Sequence, residues 1–252
     1  MPSKATAVSA PGKVLLAGGY LVLDRGYTGL VFGLSARISV LAGELTSGVE
    51  CVQLSEVVVS SPQFEGAGWR YGFRLGEGGV QVTELQVGAS ITPNPFVETT
   101  LTYALTYIHQ IGRQTNSHSL ASARLTILAD NDYYTLPPNA VTTTGRYAPY
   151  PHTLAEAHKT GLGSSAALPE GQSELLDALS GVEGVYGGVV PGAGGFDALA
   201  LLVEEGAETE KRIEAFLEEW SAKKGGKVKL LRVQGEVDGV RSESLDEYAG
   251  WI

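Results

Sequence analysis

Four apolar runs, most of them bounded by glycine, open the chain: KVLLAG from Lys13, YLVLD from Tyr20, GLVFGL from Gly29 and ARISVLAG from Ala36. Runs this short, nearly continuous and bounded by glycine predict strands joined by tight turns at Gly18–Gly19 and Arg25–Gly26, buried on both faces or lying at the bottom of a site. Pro11–Gly12 adds a turn signal just before the first run. From Val49 to Val87 the rhythm changes. VQLSEVVVS, WRYGFRL and VQVTELQV alternate in part and are split by glycine-rich turns, the pattern of an antiparallel meander. Trp69 and Tyr71 are expected to pack on a sheet face rather than hold a ligand.

TPNPFVETTLTYALTYIHQIG then shows a helical period with both ends written out. Asn94 is the natural N-cap, Pro95 takes the first helical position, Glu98 lies near the positive end of the dipole and Gly112 closes the helix. Val97, Leu101, Ala104, Leu105, Ile108 and Ile111 share one face, which should pack on a sheet. ARLTILA follows as a strand. Between Asn131 and Thr153 no period survives: Tyr133, Tyr134, Tyr147 and Tyr150 are spaced among Pro137, Pro138, Pro149 and Pro151. A loop of this length is either functional, a lid or a substrate-side wall, or a mobile surface loop.

After Pro169 the helical period returns in EGQSELLDALSG, with Leu175, Leu176 and Leu179 on one side. GVYGGVVPGAGGFDALALLVEE is a glycine-dense turn running into a buried strand. A helix from about Glu208 to Lys223 groups Ile213, Phe216, Leu217 and Trp220 and ends at Gly225–Gly226, and KVKLLRVQ reads as a last strand. Strands followed by helices in both parts make the chain α+β.

Composition narrows the function. With 252 residues, 43% hydrophobic and 18% charged, the chain can bury one large core or two modest ones. A net charge of −10 argues against nucleic acid and anionic membrane as partners, so any phosphate ligand must be held by a local cluster of donors. No run approaches the ~18 apolar residues of a membrane span. VLLAGGYLVL is interrupted by Gly18 and Gly19 and followed by Asp24-Arg25-Gly26 rather than a cleavage site, which speaks against a signal peptide. The lone Cys51 excludes an internal disulfide and a multi-cysteine zinc site, and is expected as a small buried hydrophobe. His109, His118, His152 and His158 lack metal-ligand spacing and read as surface or loop histidines. A cytoplasmic protein is expected; oligomeric state is not legible.

The strongest chemical signal is HKTGLGSSAAL, His158 to Leu168. Two glycines and two hydroxyls before small helix formers describe a loop opening into a helix N-terminus, where free N–H groups and the dipole hold an anion. Pro169 stops that helix after about one turn. No window fits G-x-x-x-x-G-K-[ST], which rejects a P-loop NTPase. GLGSSA fits only the loosest dinucleotide fingerprint, without the strand before it that such a motif needs. Lys13, the only charge between Pro11–Gly12 and the apolar run, is either a solvated edge charge or an ammonium directed at something.

Three stretches in order, SAPGKVLLAGGYLVLD, KTGLGSSAAL and GVVPGAGGFDALALLV, resemble the signature motifs of the GHMP small-molecule kinases. Their wording, with NPFVETTLTYALTYI and LADNDYYT between the first two, is similar to that of the fungal-type phosphomevalonate kinases. The resemblance implies a GHMP-kinase-like two-layer α+β fold, with a mixed N-terminal sheet carrying helices and a ferredoxin-like C-terminal part, here incomplete. It implies an ATP-binding domain over 1–168, a shortened C-terminal domain over 169–252, and phosphoryl transfer from ATP to 5-phosphomevalonate.

Carried over residue by residue, Lys159, Gly161, Leu162, Gly163, Ser164, Ser165 and Ala166 would form the ATP-phosphate loop, with the Ser165 hydroxyl reaching Mg²⁺. Lys13 would neutralise charge on the transferring phosphoryl and acceptor phosphate, and Gly192, Ala193, Gly194 and Gly195 would line the site. Arg37 is a candidate for holding the acceptor phosphate, against a solvated strand end. Family members carry a long segment between the second and third motifs, including an aspartate that serves as base or metal-side acid. Here Leu168 meets Pro169 and the segment is absent, so a non-catalytic nucleotide-binding or regulatory remnant is the alternative function.

Overall fold

The computed structural model describes residues 5–45, 55–85, 93–114, 120–134, 145–157, 170–190, 198–225 and 228–251. Its centre is a mixed sheet built on two long strands, β1 (Thr6–Ala17) and β2 (Leu30–Glu44), paired antiparallel along most of their length. The four predicted opening strands are therefore two. Pro11–Gly12 does not turn the chain but sits at a register shift inside β1, and GLVFGL and ARISVLAG fuse into β2. YLVLD is not a strand. Gly18 and Gly19 both take positive φ, 104° and 33°, and swing the chain into a 3₁₀ turn over Gly19–Leu23. That turn leaves Leu23 83% exposed, and the start of β2 is open too, so the expectation of burial on both faces fails there.

β3 (Glu56–Ser60), β4 (Gly68–Gly76) and β5 (Gly79–Glu84) form the predicted antiparallel meander. β6 (Ala123–Ala129) joins it to β2, running antiparallel to β2 and parallel to β3. α1 (Pro95–Gln114) lies on this end of the sheet. Leu101 and Leu105 pack among Val57, Val59, Trp69, Tyr71, Val80 and Val82, so both aromatics are core residues as expected. The Asn94 side chain accepts a hydrogen bond from Val97 N–H at 3.3 Å, the capping role read from sequence. The helix runs through Gly112 to Gln114, because one glycine costs only ~1 kcal/mol inside a helix already held by tertiary contacts. Its approach to β5 is fixed by Gly79, at φ 135°, where a Cβ would meet the Thr106 methyl at 2.6 Å; the Thr106 hydroxyl accepts from Val80 N–H at 2.9 Å. Only the inner half of the predicted apolar face is covered: Ile108 and Ile111 remain exposed, alongside Phe96, Tyr103 and Tyr107.

A smaller unit follows Pro169. α2 (Glu170–Leu179), the hairpin-like pair β7 (Val185–Val189) and β8 (Ala200–Val203), and α3 (Ala207–Lys224) enclose Leu175, Leu179, Ile213 and Leu217. α3 ends at Gly225, whose left-handed φ of 74° makes it the C-cap. Of the predicted strand KVKLLRVQ, the described residues 228–234 are not in a strand. Val228 and Leu230 pack against the small core, Val228 N–H donates to the Ser221 hydroxyl at 3.1 Å, and Gln234 bonds Ser35.

The chain then returns to the main sheet. β9 (Gly235–Glu236) pairs with β2 and β10 (Arg241–Glu243) with β1, giving the order β10-β1-β2-β6-β3-β4-β5, with β9 beside β2. Tyr248 is fully buried against Tyr147, Ala7, Leu41 and Leu128. The N-terminal sheet is thus completed by residues from the opposite end of the chain, a pairing no local pattern encodes.

Candidate active site

The irregularity between β1 and β2 lies immediately before Lys13. Pro11 pairs with Arg37, but the next residue, Gly12, pairs with Leu34, so Ser35 and Ala36 have no partner in β1. Such a bulge bends the strand pair. The covered side of β1 changes across it: Ala7 and Ser9 are buried before the bulge, Gly12 and Val14 after it, and Lys13 stands exposed. Among the described residues no carboxylate forms an ion pair with Lys13.

Each bulge residue is braced. Ser35 N–H donates to the Gln234 carbonyl at 2.8 Å, and the Ser35 hydroxyl accepts from Gln234 N–H at 3.0 Å. The Ala36 carbonyl accepts from the Tyr133 phenol at 3.4 Å. Arg37 N–H donates to the Asp130 carboxylate at 2.9 Å, and Asp130 N–H returns a bond to the Arg37 carbonyl at 3.0 Å. Asp130 leads into a 3₁₀ turn over Asn131–Tyr133, which carries Tyr133 to Gly12. Burial, helped by the Asp130 charge, pushes the Tyr133 phenol up to about 12. The same two causes, burial first, raise the Asp132 carboxyl above the usual carboxylate range. Asp130, Asp132 and Tyr133 belong to LADNDYYT, a stretch whose side chains no spacing rule singled out.

Arg37 is not the phosphate ligand proposed from sequence. It is 1% exposed and its guanidinium is fully engaged. Nε donates to the Ser9 hydroxyl at 2.7 Å, and the terminal nitrogens reach the carbonyls of Ser9, Asp238 and Gly239. Glu236 and Glu243 lie 3.5 and 3.9 Å away. An arginine so surrounded has no free donor to offer an acceptor phosphate. A neighbouring pair ties the irregular segment to the same place: Arg146 Nε meets Asp130 at 2.6 Å, and its Nη1 meets Glu247 at 3.1 Å.

The Asn131–Thr153 segment is not a lid where it is described. Tyr147 and Tyr150 are buried, and Tyr150 stacks on Phe64 with ring centres 4.9 Å apart while Tyr134 meets both edge-on. Buried Gln63 fastens it: its amide donates to the Ala129 and Ala148 carbonyls at 3.0 and 3.2 Å and accepts from Ala129 N–H at 2.7 Å. Of the four tyrosines in this segment, Tyr147 and Tyr150 are core residues, each meeting a ring from a distant part of the chain, Tyr248 and Phe64, whereas Tyr133 and Tyr134 are half-buried. Residues 135–144 lie outside the described residues, as do Cys51, His118 and His158.

So do the phosphate-loop residues Lys159, Gly161, Leu162, Gly163, Ser164, Ser165 and Ala166, and the third-motif residues Gly192, Ala193, Gly194 and Gly195. Their flanks are described: α2 begins at Glu170, the residue after Pro169 in sequence, and the third motif links antiparallel β7 and β8 in sequence. Among the described residues no group of three or more His, Cys, Asp or Glu could hold a metal ion. Of the acids near Pro169, Glu174 pairs with Lys224 on α3 rather than facing Lys13.

No family model matches the chain. It is 38% identical over 438 residues to a phosphomevalonate kinase of Gibberella zeae, in an alignment covering 98% of each protein. It is 27% identical over 487 residues to a phosphomevalonate kinase of Aspergillus fumigatus, covering 100% of this chain and 99% of the relative. A peroxisomal phosphomevalonate kinase of Arabidopsis thaliana is 32% identical over 193 residues, 65% of this chain and 37% of the relative. The two fungal alignments are longer than the 252-residue chain, so stretches of each relative stand opposite no residue here. Among solved structures, a mevalonate kinase shares 15% identity at a TM-score of 0.27, covering 53% of this chain and 34% of that one. The Methanococcus jannaschii mevalonate kinase shares 14% at 0.28, covering 54% and 34%. The near end-to-end match at 38% identity decides the matter: the chain belongs to the phosphomevalonate kinase family.

Proposed function

We propose that the chain transfers the γ-phosphoryl group of Mg-ATP to the phosphate of 5-phosphomevalonate, yielding ADP and 5-diphosphomevalonate in the mevalonate pathway. The bond between the γ-phosphorus and the β,γ-bridging oxygen breaks, and an acceptor phosphate oxygen forms the new bond to phosphorus. Little covalent chemistry falls to the protein in such a reaction; it positions two anions and offsets their charge.

The observation that carries this reading is Lys13, an exposed ammonium without an ion-pair partner among the described residues, two residues past Pro11 and the braced bulge opposite it, in a stretch that resembles the family's first motif. It draws the acceptor phosphate and the transferring phosphoryl together. Gly161, Leu162, Gly163, Ser164, Ser165 and Ala166 hold the ATP phosphates through backbone N–H groups, with Lys159 beside them and the Ser165 hydroxyl on the Mg²⁺ of Mg-ATP. Gly192, Ala193, Gly194 and Gly195 line the other side. Residues 1–168 act as the ATP-binding domain and 169–252 as a shortened second domain whose last strands close the first. The reaction is assigned to the cytoplasm, with support from the isolated cysteine; among the described residues no helix is long and apolar enough to cross a membrane.

A second reading has its own observation. The fungal alignments outrun the chain, and α1 exposes Phe96, Tyr103, Tyr107 and Ile108. A segment missing at the Leu168–Pro169 junction would leave such a face bare, giving a protein that binds nucleotide without turnover. Coupled ADP release with Mg-ATP and 5-phosphomevalonate separates the two. Turnover that falls ~100-fold in Lys13→Met supports the kinase. Thermal stabilisation by Mg-ATP with no ADP release supports the binding protein, and turnover unchanged in Lys13→Met overturns the role given to Lys13.

A further inference from the structure

We propose that Tyr133 is the positioning residue for Lys13, acting through Gly12 and the bulge opposite it. The inference rests on the assignment of Lys13 to the transferring phosphoryl group.

Gly12 directly precedes Lys13 in β1. A Cβ placed on it would lie 2.6 Å from the Tyr133 hydroxyl oxygen, 3.5 Å from the ring carbon that bears it and 3.3 Å from the Ala36 carbonyl oxygen. The phenol therefore occupies the space that a side chain at position 12 would need. The same hydroxyl donates to the Ala36 carbonyl at 3.4 Å, and Ala36 is one of the two residues that β1 leaves unpaired. Tyr133 thus touches both strands at the bulge, whereas Gln234 and Asp130 brace β2 alone.

The support behind the phenol is rigid. Tyr133 N–H donates to the Asp130 carbonyl at 3.0 Å, and Asp130 is bonded in both directions to the Arg37 backbone. Arg37 in turn is buried and fully engaged. A chain of contacts therefore runs from the buried guanidinium through the 3₁₀ turn to the backbone one residue before Lys13. The direction in which the lysine leaves the strand is set there, and phosphoryl transfer is sensitive to displacements of about 1 Å. With its phenol pushed up to about 12, mainly by burial, Tyr133 keeps its proton and remains a donor at neutral pH.

The test compares wild type, Tyr133→Phe, Gly12→Ala, the double variant and Lys13→Met in the Mg-ATP and 5-phosphomevalonate assay. Tyr134→Phe, in the separate aromatic cluster, serves as control. Tyr133→Phe should lower kcat about fivefold, with KM for ATP and Tm nearly unchanged, because only one hydrogen bond is lost. Gly12→Ala should lower kcat about 100-fold, since its methyl collides with the hydroxyl. Removing that oxygen should relieve the collision, so the double variant should recover at least tenfold over Gly12→Ala. A double variant no better than Gly12→Ala, or Tyr133→Phe with wild-type kcat, overturns the proposal.

A second readout does not depend on turnover. Lysines reductively methylated with ¹³C give one resonance each, and the Lys13 signal is the one missing in Lys13→Met. It should move in Tyr133→Phe and Gly12→Ala and return toward the wild-type position in the double variant. A Lys13 resonance that ignores both single changes overturns the positioning role. Lys13→Met with wild-type kcat, in contrast, overturns the reading of Lys13 itself while the resonance still reports on Tyr133.

Discussion

Replacing Arg37 by methionine separates a structural arginine from a phosphate-binding one. Methionine keeps most of the apolar stem and removes the guanidinium. That deletes donors to the Ser9 hydroxyl and to the carbonyls of Ser9, Asp238 and Gly239, and leaves Glu243, 7% exposed, without the charge 3.9 Å away. Removing one partner from a buried ion pair costs ~3–5 kcal/mol, because the other charge stays desolvated. Arg241 at 3.0 Å and Arg146 at 4.0 Å still face Glu243, which puts the expected loss near 3 kcal/mol, at the lower end of about 3–5. Against a total stability of about 5–15 kcal/mol this is a large fraction, and for a chain of this size it lowers Tm by roughly 6–12 °C. Thermal unfolding followed by far-UV circular dichroism gives the magnitude. Amide hydrogen exchange over Gly235–Glu243 gives the location, since β9 and β10 reach the sheet beside Arg37. A loss below about 1 kcal/mol, the range of exposed pairs, would refute the reasoning. So would an unchanged Tm combined with a raised KM for 5-phosphomevalonate, which would return Arg37 to the substrate.

Gln63→Leu should cost ~2–4 kcal/mol, because it strands the Ala129 N–H and the Ala129 and Ala148 carbonyls in a buried place; chemical denaturation measures it, and a loss under about 0.5 kcal/mol would contradict the bonding described. Acid should loosen the same end of the sheet. Burial alone pushes the Glu243 carboxyl up, but the Ser9 hydroxyl and the guanidinium groups of Arg241 and Arg146 outweigh it and hold the group below the usual range. A depressed carboxylate contributes stability above its unfolded value, about 4.3, and loses it as pH falls through the folded value. Tm should therefore be level near neutrality and fall below about pH 4.3, with a shallower acid limb in Glu243→Gln; equal acid limbs in the two proteins would remove Glu243 from the account.

Local pattern was enough for the elements that answer to local physics. Asn94 capping α1, Gly225 ending α3 and the alternation of β3 to β5 are set by neighbours within a few residues, so sequence determined them. The ordered motifs around Lys13, Gly163 and Gly194 carried the resemblance to the family, which the end-to-end match bore out. Apolar runs failed where a glycine's φ overrode them. YLVLD left the sheet at Gly18, while Pro11–Gly12, a turn signal in isolation, became a bulge because β2 could absorb two extra residues opposite it.

Only the tertiary structure decided what stands next to what. Arg37 reads as a spare cation in sequence. It is a buried tie because Glu236, Glu243 and two carbonyls arrive from about 200 positions later. Tyr147 and Tyr150 read as part of a lid, a substrate-side wall or a mobile surface loop and proved to be core, since Tyr248 and Phe64 come to meet them. The small glycine before Lys13 was legible as a letter. Its reason, a phenol from Tyr133 filling the space where a side chain would stand, exists only once β1, β2 and the turn after β6 have come together. Hydrophobic period and capping act over one or two turns of chain, whereas burial of a charge or a ring depends on every segment that reaches it.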